Sequence, residues 1–326
     1  MALTRRGTLQ GFAGAFTAST LWPRSAIAQA AYPTKPIRWV VPYAPGGLPD
    51  TVARIVAQRL QEKLGQGVVI ENRPGANGSV AASALATVAP DGYTFLVTDG
   101  SMLSINPLMY SKLTYDPVKD YQPVAALGRA PLFLAVHPSV PATTFKEFID
   151  YAKAKSINYG SSGIGSTHHL TMEALKANLG LQMTHVPYKG TGQSVPALLG
   201  GQVEVLFSAY PSLAAFHKDG KVKLLATNGA KRSTQAADIP AIAELIAGFD
   251  FAPVVGIFAL AGTPADVIAI ISANANSVLK MPETVQALSA VGVETIGGTP
   301  DDYAAIIAGE NARVATAIKA AGIKPE

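Results

Sequence analysis

Short β-rich runs alternate with amphipathic helical stretches almost from one end of this chain to the other, and that alternation limits its fold more than any other feature. It calls for an α/β architecture, predicted here with mainly parallel strands. Ile37–Val41 reads as the first strand. Pro45, Gly46 and Gly47 break it, and Val52, Ile55, Val56, Leu60 and Leu64 then recur at helical spacing until Gly65 stops the helix. Strands at 68–70 and 93–97 flank an alanine-rich helical stretch at 80–88. The pattern restarts at Leu132–Val136, after which Thr144 and Glu147 stand at capping-box spacing before a helix with Phe145, Phe148, Ile149 and Ala152 on one face. Strands at 157–159, 185–188, 203–207 and 222–226, with helices near 168–179, 192–199 and 211–219, continue the second unit. Two further helices open at Thr263-Pro264-Ala265-Asp266 and Thr299-Pro300-Asp301-Asp302, each with a cap residue, a proline at the first helical position and acid in the first turn.

At 326 residues the chain has the length of two domains, each being roughly 100–200 residues by the usual prior. No Pro/Ser-rich linker separates them, so the chain is expected to cross between them more than once. The division predicted is 31–131 plus 250–326 against 132–249. Hydrophobic residues at 48% and charged residues at 15% exclude a disordered chain. The absence of cysteine removes disulfides, thiolate metal sites and cysteine nucleophiles together, leaving packing as the source of stability.

The first thirty residues read as an export leader: Arg5-Arg6 precede an apolar run from Gly11 to Leu21, and Ala26-Ile27-Ala28 or Ala28-Gln29-Ala30 offers a cleavage site. Thr4-Arg5-Arg6-Gly7-Thr8-Leu9 approximates the twin-arginine pattern. The run is shorter than the roughly 20 residues a membrane span needs. Removing Arg5, Arg6 and Arg24 takes the formal net charge from +4 to +1, and the remaining Lys and Arg are scattered among acids, which argues against nucleic-acid binding.

Three loops carry the candidate chemistry. Tyr43-Ala44-Pro45-Gly46-Gly47-Leu48-Pro49-Asp50 lies between a strand and a helix. A helix N-terminus leaves backbone N–H groups unpaired and attracts anions, and Gly46 and Gly47 admit a ligand close to the backbone; a tight βα turn with no ligand fits the spacing equally well. Ser162, Gly163, Gly165, Ser166, Thr167 and His168 repeat the arrangement in the second unit. At Pro187–Gln193, Lys189 either adds a charge to the site or stands in solvent. A micromolar ligand needs about 8 kcal/mol, whereas one helix terminus supplies about 0.3–2 kcal/mol. Several such loops must therefore converge between the domains.

Enzyme signatures fail. Ile164 stands where a G-x-S-x-G nucleophile elbow needs its last glycine, and His168 where G-x-G-x-x-G needs one. His168 and His169 are adjacent, so on a helix they cannot share a metal as an i, i+4 pair does. His137, His185 and His217 fall in separate elements and read as structural or exposed. No catalytic residue, metal or cofactor is expected; a hydrolase using Ser162 and His168 is the distant third reading.

The motifs Tyr32-Pro33-Thr34-Lys35-Pro36-Ile37-Arg38, Ala44–Asp50, Glu71-Asn72-Arg73-Pro74-Gly75-Ala76 and Pro90-Asp91-Gly92-Tyr93-Thr94, with the Gly160–Ser166 loop, His185–Gly190 and Leu198–Val203 following in order, resemble the Bug-type (TctC-like) family. These are the extracytoplasmic substrate-binding proteins of tripartite tricarboxylate transporters, and the similarity covers the whole chain beyond the leader. The resemblance implies a type II periplasmic-binding-protein fold whose two α/β domains hold a di- or tricarboxylate, an acidic amino acid or an aromatic carboxylate in their cleft. By position it assigns the grip on a carboxylate to 43–50 and 162–168, and the other end of the pocket to Ser208 and Tyr210. It implies a periplasmic, monomeric protein whose partners are the ligand and the transporter's membrane subunits, with presentation to a membrane sensor as the alternative. Two departures stand out. Ser208-Ala209 replaces an Asp or Asn pair, and Val254 replaces an aromatic residue. Together they predict a ligand without an amine, aromatic carboxylates included.

Overall fold

The computed structural model describes residues 32–75, 78–188, 190–320 and 322–323; the expected leader over 1–30 and the candidate Lys189 lie outside the described residues. The chain first lays down β1 (Ile37–Val41), α1 (Leu48–Leu64), β2 (Val68–Asn72), α2 (Ser79–Leu85), β3 (Thr94–Thr98), α3 (Asn106–Met109) and β4 (Tyr121–Arg129). It continues with β5 (Leu132–Val136), α4 (Phe145–Ala154), β6 (Ile157–Ser161), α5 (Thr167–Leu179), β7 (Met183–Pro187), α6 (Thr191–Leu199), β8 (Val205–Ala209), α7 (Tyr210–Lys218) and β9 (Lys223–Thr227). It closes with β10 (Val254–Leu260), α8 (Ala265–Leu279), α9 (Pro282–Ala290), β11 (Glu294–Thr295) and α10 (Pro300–Ala320).

These strands form two sheets, ordered β11-β4-β10-β3-β1-β2 and β7-β6-β8-β5-β9. The expectation of mainly parallel strands is corrected: β1 runs parallel to β2 and β3, and β6 to β7 and β8, but β10 is antiparallel to β3 and β4, and β5 to β8 and β9. The reason lies in the connections. A strand–helix–strand crossover within one sheet returns the chain parallel, but β5 and β10 each arrive from the other sheet. β4 passes through Ala130 and Pro131 directly into β5, and the chain returns after β9 to enter β10. Both sheets therefore interrupt a parallel core with one incoming antiparallel strand, the arrangement of the type II periplasmic-binding-protein fold.

Alternation along the strands feeds a core on each face. Ile37, Trp39 and Val41 of β1 pack with Val52, Val56 and Leu60 of α1, while Val40 joins Leu96, Phe258 and Tyr303 on the opposite side. The second sheet is likewise covered on both faces, by a cluster around Phe148, Tyr159 and Leu175 and by one around Phe133, Leu198 and Leu213. Each fully buried apolar side chain contributes about 1.5–3 kcal/mol relative to exposure, so the two cores suffice without covalent links.

Helix starts are set locally. Thr144 and Glu147 form the predicted capping box, and Thr299 accepts from Asp302 N while its own N–H donates to the Asp302 carboxylate. At α8 the reading shifts by one residue: Pro264 is the cap position, and the Thr263 hydroxyl donates to Leu260 O instead. The last helix touches both cores. Tyr303, in its first turn, belongs to the first sheet's core, but Ala317 lies in the second sheet's core and Val314 and Ile318 pack against Ile105, Met109 and Leu170. Helix α10 thus spans both cores. No helix of the described residues is long and apolar enough to cross a membrane.

Candidate functional site

The carboxyl ends of β1, β3, β6 and β8 open on a single cavity of about 590 Å³ walled by both sheets. Ligands of open α/β sheets bind at such ends, where strand order leaves a crevice. Four helices begin on its wall: Leu48 and Pro49 of α1, Thr167 and His168 of α5, Thr191 of α6 and Ser212 of α7 are lining residues. Their unpaired N–H groups and positive dipole ends favour an anion. The two crossings complete the wall through Ala130, Leu132 and Pro253. A larger cavity, of about 860 Å³ between α8 and the start of α10, is walled by the first sheet's elements alone and contains none of the predicted site residues.

Of the first predicted loop, Tyr43, Ala44, Gly47 and Leu48 line the cavity. Gly46 and Asp50 do not; they build the loop from beneath. Gly46 has φ +83°, which glycine alone adopts without strain, and its N–H donates to Asp50 Oδ2 at 2.8 Å. Asp50 is buried and also accepts from Arg54 Nε at 3.0 Å and Asn72 Nδ2 at 2.8 Å. Burial opposes its ionisation, but Arg54, the Gly46 amide and Asn72 together hold its carboxyl below the usual range. Asn72 also donates to Tyr43 O at 3.0 Å, tying the loop to β2.

The second loop sits across the cavity. Ser162, Thr167 and His168 are lining residues, and Gly163, Gly165 and Ser166 line an adjoining chamber of about 400 Å³. Ser166 caps α5 by accepting from His169 N and donating to Gly163 O at 2.7 Å. Ser162 Oγ pairs with His168 Nδ1 at 2.8 Å, and burial pulls the His168 pKa down to about 4, so the imidazole is neutral at physiological pH. Behind the loop Tyr159, His185 and His169 stack, with ring centroids 4.9 and 4.0 Å apart. Gly165 N donates to His169 Nδ1 at 3.1 Å and Ser161 Oγ pairs with His185 Nε2 at 2.7 Å. His185 is thus structural, as its isolation in sequence predicts.

At the far end Ser208 lines the cavity, and its buried Oγ has no hydrogen-bond partner among the described residues. A buried hydroxyl left open on a cavity wall is a ready contact for a bound polar group. Tyr210 packs on Phe133 at 5.3 Å and is not a lining residue. Val254 is likewise turned into the core beside Tyr303, and its neighbour Pro253 takes the wall position.

One residue absent from the sequence-based candidates changes the electrostatics. Asp99, immediately after β3, lines both the cavity and its adjoining chamber. Its Oδ1 accepts from Tyr43 Oη at 2.8 Å and from Ser101 N at 3.0 Å. Burial raises its pKa, opposed by those bonds; burial first and Asp99 second keep Tyr43 a phenol. The pocket therefore does hold an acid, supplied by β3 rather than by the 208–209 position. The only signal available in sequence was its place at a strand's carboxyl end.

A profile of the family described as the tripartite tricarboxylate transporter family receptor matches residues 52–323. Protein BugT of Bordetella pertussis is 32% identical over 297 residues, covering 90% of this chain and 91% of that one. Among solved structures, an R. palustris protein determined with adipate is 35% identical with a TM-score of 0.78, over 90% of this chain and 100% of the other. MatC from Rhodopseudomonas palustris, with bound malate, is 30% identical with a TM-score of 0.72, over 88% and 100%.

Proposed function

Because this chain belongs to the tripartite tricarboxylate transporter receptor family, a family of receptors rather than enzymes, we propose that it is a periplasmic solute-binding protein that captures a small organic carboxylate by closure of its two lobes and delivers it to the membrane subunits of such a transporter. The observation that carries this reading is the meeting of four helix N-termini and the open Ser208 hydroxyl at one cavity. Each terminus supplies at most about 2 kcal/mol when partly buried; four acting together, with loop hydroxyls, reach the range of micromolar binding. The relatives solved with adipate and malate support the ligand class.

The lobes are 31–131 plus 250–326 and 132–249, hinged where β4 meets β5 and where the chain returns to β10, with the end of α10 riding on the second lobe. A ligand touching 43–48 on one side and 162–168 and Ser208 on the other binds the closed form better than the open one, and that differential shifts the population. Thermal unfolding across a panel of mono-, di- and tricarboxylates tests this. A true ligand at 100 times its Kd adds about 2.7 kcal/mol, a rise of several degrees; a flat response across the panel would refute the proposal.

Residues 1–30 serve as the export leader, with Arg5 and Arg6 selecting the twin-arginine route. Cell fractionation is expected to find the protein in the periplasm, and Arg5→Lys with Arg6→Lys to strand it in the cytoplasm. Undiminished export of that variant would remove the twin-arginine route.

A further inference from the structure

The cavity and its adjoining chamber share Asp99, Ser162, Thr167 and His168, so a ligand held by the two glycine loops extends towards the end of β3. Their walls carry the anion-attracting helix starts, yet among the described residues neither includes a lysine or arginine, and both include the Asp99 carboxylate. The Tyr43 hydroxyl and the Ser101 amide both donate to Oδ1, and the Ser101 hydroxyl also bonds the carboxylate.

A second acid stands behind it. The Glu310 carboxyl of α10 rests on Gly100, where an added Cβ would lie 1.8 Å from Oε1. Burial, then Asp99, push Glu310 up to about 8, so that near neutrality it holds its proton. Two arginines stand nearby, outside the walls of both chambers. Arg129 and Arg313 both face Asp250, at 3.5 and 3.9 Å. The site therefore sets helix starts on one side against the Asp99 carboxyl at the end of β3 on the other.

We propose that Asp99 is a specificity-determining residue that selects a carboxylate carrying an ammonium, or another N–H donor, at the end facing β3, and that disfavours a second carboxylate there. The selection rests on the carboxylate-binding reading above and narrows it. A donor at this position adds to the carboxylate's hydrogen bonding. A like charge meets repulsion in a cavity with no cation on the described wall, which is discrimination by an unfavourable contact as well as a favourable one. It also reverses the expectation of an amine-free ligand, which followed from reading positions 208–209 alone.

The test is calorimetric titration with chain-length-matched pairs, succinate against 4-aminobutanoate and adipate against 6-aminohexanoate, with hexanoate as the neutral-ended control. The wild-type protein is expected to favour the amino acid of the better-fitting pair at least tenfold over its dicarboxylate. Asp99→Asn, which retains an acceptor for Tyr43 and Ser101, is expected to erase or invert that ratio while moving hexanoate little, with thermal unfolding confirming an intact fold. Equal or better binding of the dicarboxylate by the wild type, or a ratio unmoved by Asp99→Asn, overturns the role of Asp99 and leaves carboxylate capture standing. Failure of every carboxylate to bind overturns both.

Discussion

Glu310→Gln is expected to remove most of an alkaline loss of stability, on the order of 3 kcal/mol, that the wild-type protein undergoes between about pH 5 and pH 8. Burial and then Asp99 lift the Glu310 carboxyl from its ordinary 4.5 to about 8, with Asp250 adding to the lift and Arg313 and Arg129 opposing it. A folded-state pKa above the unfolded one means the native protein binds the extra proton between those values. Stability is therefore undiminished below the unfolded pKa, falls as pH rises through the window, and is lowest above the folded pKa. Each unit of displacement is worth about 1.36 kcal/mol; electrostatic coupling to Asp99 brings the net below the full sum. Asp99, whose pKa is also raised, acts with the same sign, so a residual slope survives in the variant. On the acid side the signs reverse. Burial holds His168 and His185 near 4 and lowers His169, so stability declines as pH falls from about 6.5, where the unfolded imidazoles begin to charge. Denaturant midpoints at pH 5, 7 and 9 separate the two limbs. Parallel alkaline limbs for wild type and Glu310→Gln would remove Glu310 as the cause.

How much of this was legible in sequence depends on whether the determinant was local. Ile37–Val41 ends where Pro42, Pro45 and two glycines follow, and Thr144 and Thr299 cap helices through residues three positions away; such features are readable because partner and cause lie within one turn. Strands β4 and β10 were not read. Val254–Leu260 is buried along its whole length, so it shows no alternation, and a continuous apolar run cannot be assigned to strand or helix by period alone. Tyr121–Arg129 contains Pro123 and pairs with β10 through register shifts that blur any repeat. The candidate site divides the same way. Glycine loops before helices announced 43–50 and 162–168, whereas Asp99, Ser212 and Pro253 reach the cavity only because β3 and β8 end and β10 begins beside it. Nothing in Thr98-Asp99-Gly100 as a string distinguishes it from any polar strand end.

The same dependence on distant partners predicts the outcome of Gly256→Val. Valine is among the best strand formers, and β10 is a central strand, so local preference alone makes this exchange stabilising. The fold makes it the opposite. A Cβ at Gly256 would stand 2.3 Å from Tyr303 Cζ and 2.4 Å from Cε1 and Oη. Tyr303 is 2% exposed, its ring lies 5.0 Å from Phe258, and it sits in the first turn of α10, which the Thr299–Asp302 cap fixes in place. The ring cannot turn aside, so helix and sheet must part. Gly256→Ala is expected to cost about 1–3 kcal/mol, the usual range for overpacking a filled core, and Gly256→Val more than about 3 kcal/mol, since it adds two methyl groups to the same gap. Chemical denaturation measures both. Tyr303→Ala opens the space, so the double variant Gly256→Val/Tyr303→Ala should be more stable than the sum of the single losses by at least about 1 kcal/mol. Because α10 also carries Glu310 and ends in the second core, lifting its first turn should loosen the burial of Glu310 and its electrostatic coupling to Asp99, and the alkaline limb of Gly256→Val should flatten towards that of Glu310→Gln. Additive losses in the double variant, or a Gly256→Val protein as stable as wild type, would mean that α10 is not seated on β10 through this contact.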